Sequence, residues 1–143
     1  MTRVSRLALL SVVLGLGLLS AALPVHAEDV TQSFAAPMDR VWEVTRAVLK
    51  QQDWEIDKED RTIGWISTKP RRVEGEEFGV YMKGTVHKLV LHVKAAAPRR
   101  TTVGVERSVF KRERIMWIEK DEPMTVTDRD VEKGLLAAIE KSL

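Results

Sequence analysis

The clearest pattern of apolar and polar positions along the chain lies in residues 37–51. Placed at 100° per residue, seven side chains fall on one arc of about 160°, and charged or polar residues fill the opposite side. Pro37 suits the first helical position, where its missing N–H costs nothing, and Asp39 puts a negative charge in the first turn. The pattern predicts a surface helix with one buried stripe, which consists of Met38, Val41, Trp42, Val44, Thr45, Val48 and Leu49.

After this helix the apolar period shortens to that of β-strands. Trp54 and Ile56 alternate with charged residues, and residues 62–68 form the return strand of a hairpin. Gly64 indicates that another element packs closely on this strand, and we expect that element to be the helix. The other predicted strands are residues 28–35, 80–83, 86–94, 101–111 and 115–119.

The connections between these strands are charged. Residues 69–79 combine charges with proline and glycine, which predicts a mobile loop. Residues 111–114 are expected to form a charged turn, and residues 120–126 a loop around a proline. Arg107 has the inward parity of its strand, so we expect it beyond the core edge or at a bulge.

A second amphipathic helix closes the chain. Thr127 begins a capping signal, and the helix is predicted to end near Ser142. Because strands outnumber helices and form hairpins, the pattern predicts an α+β fold of order β-α-β-β-β-β-β-α. Its antiparallel sheet would have about five to six strands, with both helices packed on one face. The stripe of the second helix is Val131, Leu135, Ala138 and Ile139.

Residues 1–27 have the pattern of a signal peptide rather than of a folded element. Arg3 and Arg6 form a basic start, residues 7–19 are apolar, and Val25-His26-Ala27 matches the small-x-small pattern that precedes a cleavage site. We expect cleavage after Ala27, export to the periplasm, and one domain over residues 28–143. The alternative is a retained membrane anchor. The chain has no cysteine, so we do not expect a lipoprotein.

Charge changes the picture once this segment is set apart. It carries two of the 23 basic residues and none of the 21 acidic ones. The predicted domain is therefore formally neutral. Nucleic-acid binding normally requires a basic footprint, so we expect no nucleic-acid partner.

The residue types that support catalysis do not converge in this sequence. His87 and His92 are five positions apart on one predicted strand and face opposite sides, so they cannot share a metal. The carboxylates Asp57, Glu59 and Asp60 cluster at an exposed hairpin tip rather than in a cleft. No nucleophile elbow, phosphate loop or dinucleotide motif occurs. We therefore predict no enzymatic activity, no metal and no cofactor.

Two basic clusters and one glycine-flanked loop are the candidate binding elements. The clusters, within residues 69–72 and 107–114, could contact anionic lipid headgroups or an acidic partner, or could be solvated loops. The loop places aromatic residues beside glycines, which favours recognition. The predicted partner-binding residues are Arg71, Arg72, Phe78 and Tyr81.

Two family resemblances arise within residues 34–68. The pattern apolar-x-x-Pro-x-x-x-Val-Trp, a helix, a strand and then Gly-x-Ile-x-Thr resembles the helix-grip domains of BamC, the lipoprotein component of the outer-membrane barrel-assembly machinery. This implies a helix-grip fold and a role related to outer-membrane protein assembly, although the chain has one domain and no lipidation cysteine. The opening of the pattern also resembles lipid-binding helix-grip proteins of the START and polyketide-cyclase type. The residues that match the BamC pattern are Pro37, Val41, Trp42, Ile56, Asp60, Gly64, Ile66 and Thr68.

The leading functional hypothesis is a non-catalytic, exported binding or accessory protein of the cell envelope. It would meet an envelope protein through residues 71–81 and exposed sheet edges. The alternative is a small periplasmic carrier that holds a lipid or another apolar ligand between the sheet and the last helix. Trp54, Trp65 and Trp117 are expected to pack in the core or at its rim, and with the methionines they exceed what a bare core needs.

Overall fold

The computed structural model describes residues 29–143, which form seven strands and two helices. The predicted signal peptide, residues 1–27, lies outside these residues. In chain order the elements are β1 (Val30–Phe34), α1 (Met38–Gln51), β2 (Ile56–Asp60), β3 (Trp65–Thr68), β4 (Arg71–Phe78), β5 (Tyr81–Ala97), β6 (Arg100–Ile115), β7 (Ile118–Met124) and α2 (Asp130–Ser142).

All the strands belong to one antiparallel sheet, which has different neighbours at its two ends. At one end, here called the base, the order is β1-β6-β5-β3-β2. At the other end β4 pairs with β5 and β7 pairs with β6, so four strands continue as an arm made of residues 71–87 and 109–124. Seven residues of β5 lie in the arm, which is therefore about 20 Å long.

The predicted α+β class is confirmed, but the sheet has seven strands rather than five or six. The prediction of a mobile loop over residues 69–79 is wrong, because most of that segment is β4. Residues 111–114 continue β6 instead of turning, and residues 120–126 lie largely in β7. Residues 80–83 and 86–94 belong to one strand, β5.

The physical reason for these errors is that the charges pair across strands. Glu76, Lys83, Glu113 and Lys120 lie directly opposite one another in β4, β5, β6 and β7. Opposite charges in such positions stabilise a sheet, so a charged segment need not be a loop. The outer strands also carry irregularities: β4 has a register shift between Arg72 and Glu74, and β7 contains Pro123.

Both helices cover the base, on the face formed by alternate residues of β5 and β6. The predicted stripe of α1 is confirmed, since six of its seven residues are buried and Met38 is partly buried. The predicted end of α2 at Ser142 is confirmed, but the helix begins at Asp130, with Arg129 rather than Thr127 in the N-cap position. Asp128 Oδ1 accepts the Asp130 N–H at 3.3 Å. In residues 29–143 no helix is long and apolar enough to cross a membrane. The residues that β5 and β6 contribute to the core cluster are Leu89, Leu91, Val93, Val103 and Val105.

Gly64 marks the closest approach between the β2–β3 hairpin and β5. Its φ is +66°, and a Cβ atom there would lie 1.9 Å from the carbonyl oxygen of Val93. The predicted close packing is confirmed, but the neighbour is the β5 backbone, whereas the α1 side chain of Met38 lies 3.5 Å away. The predicted return strand begins only at Trp65, and Ile63 lies exposed before it.

Candidate functional site

The arm ends where two hairpins meet. The chain turns at Gly79 and Val80 between β4 and β5, and at Met116 and Trp117 between β6 and β7. The backbone N–H of Met116 donates to the carbonyl oxygen of Val80 at 2.7 Å. This hydrogen bond joins the two turns, so they form one surface, here called the arm tip (residues 78–81 and 115–118).

The arm tip is apolar and exposed. The last paired residues of the four strands, Phe78, Tyr81, Ile115 and Ile118, lie opposite one another and therefore share one face of the sheet. Trp117, in the second turn, is 81% exposed. Large exposed apolar groups of this kind commonly mark interaction sites. The exposed large apolar residues of the arm tip are Phe78, Val80, Ile115, Met116, Trp117 and Ile118.

Ion pairs hold the arm together behind the tip. On the face opposite the apolar row, Glu77 accepts hydrogen bonds from Arg72 and Arg114, each at 2.8 Å. Arg112 binds Asp121 with two hydrogen bonds of 2.7 Å. The hydrogen bonding from Arg112 holds the pKa of Asp121 below its usual value. Cross-strand pairing thus replaces the helix cover that the base has.

The β6–β7 turn carries backbone strain. Met116, its first central residue, has a φ of 58°, whereas Gly79 takes the corresponding position of the other turn with a φ of 54°. Two-residue hairpin turns favour glycine or asparagine at positions of positive φ. A left-handed conformation costs a residue with a Cβ atom roughly 1–2 kcal/mol, and such strain is often found at functional sites.

The four predicted partner-binding residues do not form one surface. Phe78 and Tyr81 belong to the arm tip, but Arg72 faces the other side of the arm and pairs with Glu77. Arg71 lies where the arm joins the base. Its guanidinium is 3.6 Å from the ring centroid of Trp54, and its Nη1 donates to the Gln52 carbonyl at 2.6 Å. Arg71 is therefore already engaged by its own chain.

Sequence reasoning missed the β6–β7 half of the arm tip. Trp117 was expected in the core or at its rim, and this is wrong, whereas Trp54 is buried as expected. The available signal was the apolar run of residues 115–118 between two highly charged segments. Its turn lacks the usual glycine or asparagine, so the pattern was interpreted as a strand rather than as a hairpin end.

A second group of polar side chains is buried where β6 meets the start of α2. Arg107 is 3% exposed and lies opposite Leu89 without a bulge, so the prediction that it would leave the core or shift the register is wrong. The reason is Glu132, fully buried on α2, whose Oε1 is 3.2 Å from Arg107 Nε. Arg107 Nη2 also donates to the carbonyl and the carboxylate of Asp128, each at 2.9 Å.

His87 borders this cluster. Its Nδ1 lies 3.5 Å from Nη1 of Arg107, and burial, followed by the charges of Arg107 and Arg71, lowers its pKa. A neutral imidazole can accept an N–H of a neighbouring guanidinium, so His87 can act as a hydrogen-bond acceptor for Arg107. Through these hydrogen bonds Arg107 links β6 to the start of α2.

No protein-family model matches the chain, and a search of curated proteins finds no match. The BamC and START resemblances therefore remain predictions. Within residues 29–143 no three His, Cys, Asp or Glu residues are grouped in a way that could hold a metal ion. Asp57, Glu59 and Asp60 are exposed at the β2–β3 hairpin.

Between the sheet and α2, where the alternative hypothesis places an apolar ligand, the side chains of α2 pack in the core. Leu135, Leu136 and Ile139 of α2 are buried in the same core cluster as Leu89 and Val105. A groove of about 480 Å³ lies elsewhere, beside α1 and β2. Charged side chains line much of it, and its residues are Glu43, Arg46, Ala47, Lys50, Trp54, Glu55 and Ile56.

Proposed function

We propose that this protein is a non-catalytic binding or accessory protein of the cell envelope and that the arm tip is its binding element. The observation that carries the proposal is the exposed apolar row at the end of the arm, together with the exposed Trp117 in the adjoining β6–β7 turn. A polypeptide that leaves a tryptophan, a phenylalanine and two isoleucines together in water loses hydrophobic free energy, which contact with another surface would recover.

The composition of the arm tip supports a recognition role. Tryptophan and tyrosine are enriched among the residues that dominate binding energy, and Trp117 and Tyr81 both lie at this end. The arm behind the tip is strongly charged on both faces, and its exposed large apolar residues there are Val73 and Met124, so the exposed apolar area is concentrated at the end. A confined apolar surface with a polar surround has the anatomy of an interface core and rim.

The envelope assignment comes from the sequence, through the signal-like residues 1–27. The absence of an enzymatic role is part of the proposal and is supported by the geometry of the two polar regions. The buried cluster of Arg107 and Glu132 serves packing, and the carboxylates at the β2–β3 hairpin face water. The packing of α2 side chains in the core against the sheet favours the binding proposal over the carrier alternative. If the carrier alternative were correct, native mass spectrometry of the purified protein would detect a co-purified apolar ligand.

The proposal is tested with an immobilised chain and a detergent-free envelope fraction, whose retained protein and lipid are both analysed. We expect the wild type to retain envelope material and the double variant Trp117→Ser/Ile118→Ser to lose it. Ile63→Ser is the matched control, because Ile63 is 64% exposed and Ile118 65%. Equal retention by the wild type and the double variant, or turnover of a substrate by the wild type, would contradict the proposal.

A further inference from the structure

We infer that the arm tip binds a lipid surface, by inserting its apolar side chains between the zwitterionic headgroups of a bilayer. This inference rests on the proposed function and names the target of the same site. Three observations carry it. They are the depth of the apolar region, the charges directly behind it, and the charged lining of the groove in which a second copy of the chain would have to receive the tip.

The depth of the apolar region suits the headgroup boundary of a bilayer. It consists of the two turns and the one row of Phe78, Tyr81, Ile115 and Ile118. With the rise of a strand this amounts to about 7 Å, and four strands make the tip about 14 Å wide. Amphipathic elements that lie in the interface bury their apolar face by about 5–10 Å.

The next row on the same face carries alternating charges. Glu76, Lys83, Glu113 and Lys120 follow one another across the four strands, and their formal charges cancel. A zwitterionic headgroup layer offers phosphate and ammonium groups at the same depth, so each side chain of this row can meet an opposite charge. The aliphatic stems of the two lysines also allow their ammonium groups to reach the polar layer.

The aromatic residues of the tip have the character of interfacial anchors. Trp117 is the most exposed large apolar residue in the described chain, and Tyr81, which pairs with Ile115 in the same tip, is partly exposed. Both combine an apolar ring with a polar group, which is why tryptophan and tyrosine gather at membrane–water interfaces. Phe78 and Ile118 complete the row with purely apolar surface.

Other occupants fit these observations less well. A partner whose surface carries charges of one sign would gain no net electrostatic attraction, because the formal charges of the row behind the tip sum to zero. A second copy of the chain would have to receive a convex apolar tip, yet its groove beside α1 and β2 is lined by Glu43, Arg46 and Lys50. Zwitterionic lipid therefore accounts for shape, depth and charge together.

The test uses the purified chain and vesicles of phosphatidylcholine and phosphatidylethanolamine. Trp42 and Trp54 are each 3% exposed and Trp65 is partly exposed, so the part of the tryptophan emission change that Trp117→Phe loses on adding vesicles reports on Trp117. We expect a blue shift, quenching by lipids that carry bromine on shallow acyl carbons, and binding that changes little between low and high salt.

The variants separate insertion from other effects. Ile118→Ser removes one of the inserted apolar side chains and should weaken vesicle binding about tenfold or more, whereas Ile63→Ser should bind like the wild type. Trp117→Phe should still bind, as measured by co-sedimentation, while the emission shift is lost. Thermal unfolding of each variant checks that the fold is kept.

Three results would overturn the inference: no vesicle-dependent change with the wild type, equal vesicle binding by Ile118→Ser and Ile63→Ser, or concentration-dependent self-association through the tip without lipid binding. If the envelope fraction instead yields a protein that the tip variants lose, while vesicles do not bind, the lipid target is wrong and the proposed binding function stands. If the tip variants alter neither experiment, both fail.

Discussion

The base and the arm are built from the same two strands, yet they are stabilised differently. In the base, Leu91 of β5 and Val105 of β6 are opposite each other and fully buried under the helices. In the arm the same strands continue to Tyr81 and Ile115, where no helix covers them. Strand pairing is thus continuous to the tip, whereas hydrophobic burial in the arm is reduced to residues such as Met82 and Val86. Strand pairing and core packing are therefore separate contributions.

The largest expected difference between the two regions concerns two arginines of β6. Arg107→Ala should destabilise the protein by about 3–5 kcal/mol, because it leaves the fully buried Glu132 without its main partner. Arg112→Ala removes the pair with Asp121 in the arm and should cost about 1 kcal/mol or less, since water screens it. Urea unfolding of both variants measures this, and equal costs would mean that the arm is as well packed as the base.

Truncating apolar side chains should separate the regions almost as strongly. Leu91→Ala creates a cavity in the core and should cost about 2–5 kcal/mol. Ile118→Ala removes a side chain that is already in water, so we expect a change within about 0.5 kcal/mol. Thermal unfolding followed by circular dichroism compares the two. A large loss with Ile118→Ala would show that the arm tip packs against something in the isolated protein.

Two glycines of positive φ give a smaller contrast. Gly64→Ala places a methyl group against the Val93 carbonyl and should cost about 1–3 kcal/mol. Gly79→Ala is strained as well, but nothing lies within 4 Å of the added atom, so its cost should be the lower of the two. Denaturant midpoints of the two variants rank them. The reverse order would place the tighter packing at the arm.

The smallest effect is a pH dependence where the two regions join. Because the pKa of His87 is lowered in the folded state, the unfolded chain binds a proton first as the pH falls. His87 therefore leaves stability unchanged above its ordinary value of 6.5 and reduces it progressively below that value. Asp121 and Asp128, whose pKa values are lowered too, lose their contributions only in the acidic range.

Unfolding of wild type and His87→Asn between pH 7.5 and 5 isolates this contribution. We expect the slope of stability against pH to be shallower in the variant. An identical slope would mean that His87 is as solvated in the folded chain as in the unfolded one. Extending the titration below pH 5 provides the internal check, because the effect of Asp121 and Asp128 should remain in both proteins.

The base could be predicted from the sequence because its burial is periodic. The stripe of α1 and the alternation in β5 each match a single structural period, so their faces follow directly. Arg107 broke the pattern because its partner, Glu132, lies 25 positions away on another element. Periodicity within one strand carries no information about such a partner.

The arm could not be predicted in the same way. Its strands are stabilised by charges that match across neighbours, and the segment of Glu74, Glu76 and Glu77 has the composition of a loop. Of the candidate site, Phe78 and Tyr81 were identified because glycines flank them. Trp117 was assigned to packing because large aromatic residues usually lie inside, and only the register of β6 and β7 shows it at an end.

The outer strands of the arm have a further consequence for the protein as a population of molecules. An unguarded edge beside exposed apolar residues would invite further strands and growth into fibres. The kink after Arg72 in β4 and the ring of Pro123 in β7 each interrupt the row of donors that a newcomer would need. The same irregularities that disturb the ladder thus disfavour strand-by-strand association of several copies through the edges of the arm.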